Sequence, residues 1–299
     1  MHLRRSLIWV AGDNEAKLRR ALGSEADVIC FDLEDGVLPA KKEYARAQVK
    51  KNLAECDFRG RERAVRINSI ESGLWQTDLD AILPSRPDAI RIPKSDSVEH
   101  VKLICDYIGA FERANGMKEN SIEVILLIET ALGVLNALQL CTCDKRITAV
   151  GIGMEDFTAS LGVQRSYTPG SNQLLCAKQW LIMAAKAAGI QAIESSSLMP
   201  DNMEFLREDS EISKSFGFTG RSVSNPEQAV IVNEVFSPSG EDLEWAAEVK
   251  RHYQAYVETH DDDQRIYNGA VIDSPVVVKA DAIVELQKLI DKSESERRA

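Results

Sequence analysis

The chain has 299 residues, of which 44% are hydrophobic, so it is long enough to bury one large core. Its 47 acidic and 36 basic residues give a formal net charge of -11, and a field of that sign repels nucleic acid and anionic membrane surfaces. We therefore expect neither as a partner, and a ligand that carries phosphate would need a local basic patch.

The N-terminal segment predicts a strand rather than a targeting or membrane signal. Arg4 and Arg5 precede only the short apolar run from Leu7 to Ala11, which is far below signal-peptide or transmembrane length. The six cysteines of the chain are scattered, and none has the C-x-x-C spacing of a zinc or redox site. We therefore expect a cytoplasmic protein with buried free thiols.

Eight short apolar or β-branched runs recur along the chain, most of them continuous as in buried parallel strands. In chain order the runs are Ser6 to Ala11, Asp27 to Leu33, Ala64 to Ile67, Ala89 to Pro93, Glu123 to Ile128, Ile147 to Ile152, Gln191 to Glu194 and Phe218 to Val223. Helix-period patterns such as Val98 to Phe111 and Ala177 to Ala188 occupy the gaps. Alternation of eight strands with helices predicts a (β/α)8 TIM barrel, an α/β fold. A doubly wound sheet is the alternative, but no glycine-rich dinucleotide motif or P-loop follows any run.

The composition changes after Phe236, where the sequence Ser-Pro-Ser-Gly precedes a predicted helix from about Glu241 to Val257. A polar run from Thr259 to Arg265 follows, and then a final predicted helix that opens near Pro275. We therefore divide the chain into a catalytic barrel, residues 1–236, and a C-terminal helical extension, residues 237–299.

Two carboxylates end consecutive predicted strands, Glu129 after the fifth and Asp156 after the sixth. Catalytic groups of this fold lie at the carboxyl ends of the strands, so these two should lie side by side at the barrel mouth. Adjacent anions repel one another unless a cation lies between them, and oxygen ligands suit Mg²⁺ or Mn²⁺. We therefore predict a divalent metal site. The alternative is that both residues cap the helices that follow.

Arg66 lies on the third predicted strand, where an unpaired arginine is costly to bury. Either an internal salt bridge or an oxygen of the substrate would satisfy its guanidinium. Because this strand should bring Arg66 near the metal, we favour contact with the substrate.

Seven blocks of the sequence, most of them at predicted strand ends, point to a known family. The blocks are Arg5 to Gly12 (RSLIWVAG), Asp32 to Arg46 (DLEDGVLPAKKEYAR), Val65 to Asn68 (VRIN), Ile92 to Lys94 (IPK), Leu127 to Gly133 (LIETALG), Gly153 to Phe157 (GMEDF) and Val232 to Pro238 (VNEVFSP). Together they resemble the citrate lyase beta-subunit-like proteins of the HpcH/HpaI aldolase group, which includes malyl-CoA and citramalyl-CoA lyases. The resemblance covers nearly the whole chain.

That resemblance implies a Mg²⁺-dependent barrel, commonly a homo-oligomer such as a trimer, in which the C-terminal extension can cover a neighbouring subunit. It implies chemistry at a carbon–carbon bond between a CoA thioester and a 2-oxo acid such as glyoxylate or pyruvate. By similarity, Glu129 and Asp156 are the metal ligands and Arg66 holds an oxygen of the oxo acid. Glu34 and Asp35 would order the water around the metal.

Three further residues take roles from the same resemblance. Lys42 and Arg46 match basic positions of the family near a docking region for a CoA phosphate, and the alternative is that they are solvated helix charges. Asp273 ends the segment Gly269 to Asp273, which is similar to one that a neighbouring subunit contributes in the family. Asp273 is thus the candidate acid/base, or else a residue of the cap region of the final helix.

Departures from the family pattern leave the substrate open. Ser224 and Asn225 replace the usual Ile-His, and the run from Ser195 to Ser197 is more polar than expected; we expect both to line the mouth. We predict a lyase that cleaves or forms a 3-hydroxyacyl-CoA such as malyl-CoA or citramalyl-CoA. The alternatives are a thioesterase on the same esters, an aldolase that acts without CoA, and a citrate lyase subunit active only with an acyl-carrier partner.

Overall fold

The computed structural model describes residues 2–169, 171–197 and 199–298. The contacts divide the chain into two compact units, Met1–Phe236 and Ser237–Ala299. Across the described ranges, no helix has the length and apolar character that a membrane crossing requires.

Eight parallel strands of the first unit form a closed barrel in which each strand pairs with the next and the last pairs with the first. They are β1 (Ser6–Ala11), β2 (Val28–Asp32), β3 (Glu62–Arg66), β4 (Ala89–Ile92), β5 (Glu123–Ile128), β6 (Ile147–Ile152), β7 (Gln191–Glu194) and β8 (Gly220–Val223). Every predicted run is a strand, and no boundary differs by more than two residues. The predicted TIM barrel is confirmed.

Helices connect the strands and cover the outside of the barrel. They are α1 (Glu15–Leu22), α2 (Lys42–Glu55), α3 (Trp75–Ile82), α4 (Val98–Ala114), α5 (Ala131–Leu135), α6 (Ala137–Thr142), α7 (Met154–Ser160), α8 (Leu175–Ala188), α9 (Met203–Phe216) and α10 (Pro226–Phe236). Their apolar faces pack on the outward side chains of the strands, which forms the larger of the hydrophobic clusters.

The inside of the barrel is filled in layers, because successive side chains of a strand alternate between its two faces. A central layer is apolar and buried, and it consists of Leu7, Val28, Cys30, Ala64, Ala89, Ile125, Ala149 and Ile193. Two residues further along their strands stand Trp9, Asp32, Arg66 and Arg91. Asp32 is the register partner of Arg66, and Arg66 is the register partner of Arg91. The strand pairing therefore places three charged side chains next to one another above an apolar floor.

The second unit contains α11 (Gly240–Thr259), a small hairpin of β9 (Ile266–Tyr267) and β10 (Ala270–Val271), and α12 (Ser274–Arg298). Ser239 begins α11 with a capping box, in which its hydroxyl accepts from the Asp242 amide and the Asp242 carboxylate accepts from the Ser239 amide. Asn268 and Gly269 make the hairpin turn with φ values of 50° and 75°, a conformation that Asn and Gly adopt most readily.

Candidate active site

A cavity of about 240 Å³ lies at the carboxyl end of the barrel strands. Three of the predicted site residues line it, namely Arg66, Glu129 and Asp156. Trp9, Asp32, Arg91 and Ser222 line it as well, and the sequence reasoning did not assign these. The structure thus brings together the predicted acidic and basic groups in one concave site at the expected end of the barrel.

Arg66 is held by an internal ion pair and still faces the cavity. Its Nε and Nη2 atoms donate to the two carboxylate oxygens of Asp32 at 2.8 and 2.7 Å. Its Nη1 atom lies 3.0 Å from a carboxylate oxygen of Glu34. Burial alone would raise the pKa of Asp32, but the hydrogen bonds and charge of Arg66 hold that pKa below its usual value. The salt-bridge alternative is therefore realised, and Asp32 sets the orientation of the guanidinium.

Glu34 is a buried carboxylate with too few donors. Its oxygens lie within ion-pair distance of Arg66 and Lys94, at 3.0 and 3.2 Å, yet neither oxygen receives a hydrogen bond from the residues that the structure describes. Burial raises the pKa of Glu34, and the two cations only partly oppose this effect. Glu34 therefore adds negative charge and unused acceptors beside Glu129.

Glu129 is 3% exposed, and its Oε2 atom accepts a hydrogen bond from the Lys94 amide at 2.8 Å. Burial and the charges of Glu34 and Asp156 raise the pKa of Glu129 to about 7. A Cβ atom at Gly153 would lie 2.3 Å from the Glu129 Oε1 atom, so only glycine leaves room for this carboxylate. A carboxylate held in this way has its charge unbalanced unless a cation is present.

Neither predicted ligand caps the helix that follows it. Thr130 caps α5 by accepting from the Gly133 amide at 3.0 Å. Gly153 holds the N-cap position of α7, without a side-chain bond. The Asp156 side chain lies exposed in the first turn of α7 and makes no hydrogen bond or ion pair within the described ranges.

This donor set fits a divalent cation. Buried carboxylate oxygens with unused lone pairs, and a glycine that keeps space beside one of them, are what a hard cation with oxygen ligands requires. The residues available to hold such a cation are Glu129 and Asp156, with Glu34 close to them.

Lys42 and Arg46 make internal contacts. The ammonium group of Lys42 donates to the backbone oxygens of Leu33 and Glu34, both at 2.6 Å, and to Asn68 Oδ1 at 2.7 Å. Arg46 Nε donates to the buried carboxylate of Asp78 at 2.6 Å. The Lys42 bonds fasten the start of α2 to the ends of β2 and β3, and the Arg46 bond joins α2 to α3, so the two are not simply solvated helix charges. Their contact with a CoA phosphate stays a prediction.

Asp273 belongs to the second unit and directly precedes α12. Its Oδ1 atom accepts from the Val276 amide at 3.2 Å, and its backbone oxygen accepts from the amides of Val276 and Val277. Asp273 thus occupies a cap-region position, as the alternative from the sequence had it. Its part as an acid/base stays a prediction.

We expected Ser224, Asn225 and the run from Ser195 to Ser197 to line the barrel mouth, and this expectation is right in part. Ser195 and Ser196 line the cavity, but Asn225 does not. The side-chain oxygen of Asn225 accepts from the backbone amide of Gln228 at 2.9 Å, and its side-chain nitrogen donates to the backbone oxygen of Pro200 at 3.1 Å. Asn225 therefore holds the start of α10. On β8 the residue that reaches the cavity is Ser222, because alternation along the strand turns it inward.

A second cavity of about 270 Å³ adjoins the start of α1 and the end of β8. Lys17 and Arg20 line it together with Asn14 and Ser224. It is the kind of local basic patch that the overall negative charge of the chain requires for a phosphate-bearing ligand.

The cavity residues that the sequence reasoning missed could have been recognised from their positions along the strands. The missed Asp32 and Arg91, like the predicted Arg66, each stand two positions after a small or apolar inward residue, on three consecutive strands. Charged residues in that phase face the barrel interior. The guanidinium carbons of Arg66 and Arg91 each lie 4.6 Å from the centroid of the Trp9 ring, so Trp9 belongs to the same cluster.

Comparison with known proteins agrees with this geometry. Residues 5–226 match the model of the HpcH/HpaI aldolase/citrate lyase family. Citrate lyase subunit beta of Haemophilus influenzae is 33% identical over 290 residues, which cover 96% of this chain and 98% of that protein. Mitochondrial citramalyl-CoA lyase of Homo sapiens is 33% identical over 298 residues, covering 95% of this chain and 85% of that protein.

A solved structure shares the fold over nearly the whole length. The CitE protein of Mycobacterium tuberculosis, in complex with magnesium, acetoacetate and coenzyme A, is similar with a TM-score of 0.77 and 25% identity. The match covers 96% of this chain and 98% of that one. The barrel and its acidic cavity agree with the family model and with the two relatives at 33% identity, and the chain belongs to the HpcH/HpaI aldolase/citrate lyase family.

Proposed function

We propose that this protein is a Mg²⁺-dependent carbon–carbon lyase. It cleaves, or forms in reverse, a 3-hydroxyacyl-CoA such as citramalyl-CoA or malyl-CoA, and the products of cleavage are an acyl-CoA and a 2-oxo acid. The observation that carries the proposal is the buried Glu129 carboxylate, short of donors and beside Glu34 and Asp156, in a cavity that also holds Arg66. The human relative named citramalyl-CoA lyase and the magnesium and coenzyme A of the CitE complex support it.

Glu129 and Asp156 would hold the cation, which supplies Lewis acidity toward the oxygens of the substrate. Arg66 acts beside them, since Asp32 binds its Nε and Nη2 atoms and Nη1 lies against a single Glu34 oxygen at 3.0 Å. Because Nη1 carries two N–H donors, one of them can reach an oxygen of the oxo acid, where it stabilises the negative charge that develops as the bond breaks. Glu34 keeps the guanidinium and Lys94 in place.

Asp273 is the proposed acid/base. It would accept the proton of the substrate hydroxyl as the carbon–carbon bond breaks and the new carbonyl forms. The electrons of that bond leave on the thioester as an enolate, which is then protonated. We propose that Asp273 performs this step from a neighbouring copy in a homo-oligomer.

The CoA part of the substrate needs cations near the mouth. Lys42 and Arg46 remain candidates for the CoA phosphates, but both already have internal acceptors. Lys17 and Arg20, which line the second cavity, are additional candidates. Arg20→Ala should raise KM for the CoA ester about tenfold, the loss of one charge-assisted contact. Arg19→Ala is the matched control, because Arg19 is exposed on the same helix and does not line this cavity.

The decisive experiment is an incubation of purified protein with Mg²⁺ and citramalyl-CoA or malyl-CoA, with products identified by mass spectrometry. Metal-dependent release of a 2-oxo acid and acetyl-CoA, abolished by EDTA and by Glu129→Gln, supports the lyase. Free hydroxy acid plus CoA would replace the proposal with a thioesterase. Activity restricted to a carrier-linked substrate would replace it with the citrate lyase subunit.

Mixing variants tests the position of Asp273. Arg66→Ala and Asp273→Ala should each be inactive alone, whereas co-expressed chains should recover part of the activity, because some sites then combine an intact Arg66 with an intact Asp273 from another copy. Co-expressed chains that assemble but stay inactive would contradict catalysis between copies.

A further inference from the structure

Lys94 lies in the turn that follows β4, and its backbone is left-handed, with a φ of 47°. The residues on both sides hold the chain in this conformation. Pro93 precedes it with a restricted φ. The Ser95 amide donates to the Leu127 oxygen of β5 at 3.0 Å, and the Ser95 hydroxyl donates to the Ile92 oxygen of β4 at 2.9 Å. The turn is therefore fastened to both strands.

The backbone amide of Lys94 orients one of the proposed metal ligands, because it donates to Glu129 Oε2 at 2.8 Å. A side chain in the left-handed region costs free energy that glycine would not, and such residues gather at functional sites where the surrounding structure enforces them. Glycine would supply the same amide at a lower cost. The bond to Glu129 therefore gives no reason for a lysine side chain at this position.

The ammonium group of Lys94 pairs with a buried carboxylate. It lies 3.2 Å from Glu34 Oε1, and the Lys94 side chain is 37% exposed whereas that of Glu34 is 5% exposed. The Glu34 oxygens receive no hydrogen bond from the described residues. Arg66 is the other cation within ion-pair distance of Glu34 in the described part of the chain, and Asp32 already binds it through two atoms. Lys94 therefore supplies positive charge that Glu34 would otherwise lack.

The charge of Lys94 acts on more than one carboxylate. Those within electrostatic reach of its ammonium are Glu34, Asp35 and Asp156. Its backbone amide is bonded to a fourth carboxylate, that of Glu129. Anions that share a partly buried site repel one another unless cations lie among them. When Mg²⁺ is absent, the Lys94 ammonium therefore opposes the mutual repulsion of these four carboxylates.

We infer that Lys94 is a positioning residue of the metal site, whose ammonium holds the carboxylates together in the metal-free protein and weakens the binding of Mg²⁺. This inference rests on the proposed function, in which Glu129 and Asp156 hold the cation. The same carboxylates attract the ammonium and the divalent ion, and the two positive charges repel one another. The side chain of Lys94 thus sets how tightly the site binds its metal.

The test is direct binding of Mg²⁺, which needs no turnover. Mg²⁺ is titrated by calorimetry, at constant ionic strength and without substrate, into metal-free wild type, Lys94→Met, Lys94→Gly, Lys94→Arg and the control Lys51→Met. Lys51 lies on α2, where it pairs with Glu55 on the surface at 3.9 Å. Lys94→Met should bind Mg²⁺ about tenfold more tightly than wild type, the effect of removing one nearby positive charge.

The other variants separate the ammonium from the backbone. Lys94→Gly should bind Mg²⁺ as tightly as Lys94→Met, because it lacks the ammonium but keeps the amide and suits a left-handed φ. Lys94→Arg should stay within about threefold of wild type, because it keeps the charge. Lys51→Met should match wild type. Unchanged or weaker Mg²⁺ binding in Lys94→Gly overturns the inference, and this variant still decides if Lys94→Met does not fold.

Thermal unfolding supplies a readout that a purely structural lysine would not change. In metal-free protein, Lys94→Met should have a lower Tm than wild type, because Glu34 loses a counter-charge. At saturating Mg²⁺ the difference should shrink or reverse, since tighter binding to the folded state stabilises it further. An equal loss of Tm with and without Mg²⁺ would show that Lys94 supports only the fold.

The outcomes also separate this inference from the proposed function. Mg²⁺ binding that Glu129→Gln abolishes and that no Lys94 variant changes overturns the role of Lys94 and leaves the metal site standing. A wild type that binds no Mg²⁺ overturns both. Tighter binding in Lys94→Met, in a protein that cleaves no CoA ester, supports the role of Lys94 and contradicts the lyase.

Discussion

Each end of the barrel buries an arginine, and the two arginines differ in how many of their N–H donors have acceptors. At the amino end of the strands all five N–H donors of Arg4 have acceptors. These acceptors, at 2.5 to 3.2 Å, belong to Glu62, Glu123, Thr148 and Gln191. At the carboxyl end Arg91 makes one hydrogen bond within the described ranges, to Ser222 Oγ at 3.4 Å. All N–H donors of Arg4 are therefore bonded within the barrel, whereas Arg91 has donors without an acceptor among the described residues.

The carboxylates show the same contrast. Glu62 at the amino end accepts two bonds from Arg4, at 2.6 and 2.7 Å, whereas the oxygens of Glu34 at the carboxyl end receive no hydrogen bond from any described residue. Native proteins satisfy nearly all buried polar groups, so exceptions need an explanation. Two of the exceptions, the carboxylate of Glu34 and the Nε atom of Arg91, lie at the carboxyl end of the barrel, where a cation and an anionic substrate would complete them.

Ligand geometry alone does not make a metal site. His2, Glu62 and Glu123 at the amino end place potential ligand atoms within 4.8 Å of one another. Arg4 already pairs with both carboxylates, so a cation there would have to compete with a guanidinium. The pairing of the carboxylates, rather than the spacing of their oxygens, therefore distinguishes the two ends.

The largest expected effect is on catalysis at the carboxyl end. Glu129→Gln should lower the proposed lyase activity by about a thousandfold or more, because an amide is a poor substitute for a charged ligand at a Lewis-acid site. Asp156→Asn should act similarly. Rates of 2-oxo acid release at saturating Mg²⁺ measure both. Near wild-type turnover in either variant would contradict the assignment of ligands.

At the amino end the expected effect is on stability. Arg4→Met should lower the free energy of unfolding by about 3–5 kcal/mol, because Glu62, 3% exposed, would keep a buried charge without its partner. Urea unfolding followed by circular dichroism measures the change. Arg207→Met, which breaks an exposed pair, should cost less than about 1 kcal/mol. A loss below that value in Arg4→Met would remove the contrast between the two ends.

In the metal-free protein, the raised pKa of Glu129 should make the free energy of unfolding depend on pH. The pKa of Glu129 is raised from 4.5 to about 7, so the folded state binds its proton more tightly than the unfolded state does. The resulting stability is present in full below about pH 4.5 and is lost as the pH rises through 7, by roughly 3 kcal/mol.

Glu129→Gln is the control for this measurement. Unfolding free energies of metal-free wild type and variant, compared from pH 4.5 to 8, isolate the contribution of this one group. If the difference between the two proteins stays constant over that range, the pKa of Glu129 is not raised.

The smallest expected effect is that of replacing Arg91, and it tests the contrast between Arg91 and Arg4 most directly. Arg91→Met should change the free energy of unfolding by less than about 1 kcal/mol or stabilise the protein, since among the described residues it leaves behind no carboxylate partner, only the long bond to Ser222. The same substitution at Arg4 is costly, so the two variants measured side by side separate structural from ligand-binding charge. A loss of 3 kcal/mol or more in Arg91→Met would assign Arg91 to the fold.

The sequence by itself determined the barrel and the place of its site. Continuous apolar runs are local properties of the chain, and the boundaries of β1, β5, β6 and β7 coincide with the predicted runs. Once the strands are known, the side chains that follow them must lie at the mouth of the barrel. Glu129 and Asp156 could be singled out for that reason.

Only the tertiary structure decided which charges are paired. Whether Lys42 faces solvent or binds the oxygens of Leu33 and Glu34 depends on how α2 packs, and no local pattern contains that. The adjacency of Asp32, Arg66 and Arg91 depends on the register of strands that lie 25 to 34 residues apart in sequence. Burial and pairing are properties of contacts between distant segments, so the burial of Arg91 without a carboxylate partner in the described part of the chain emerges only when the barrel closes around it.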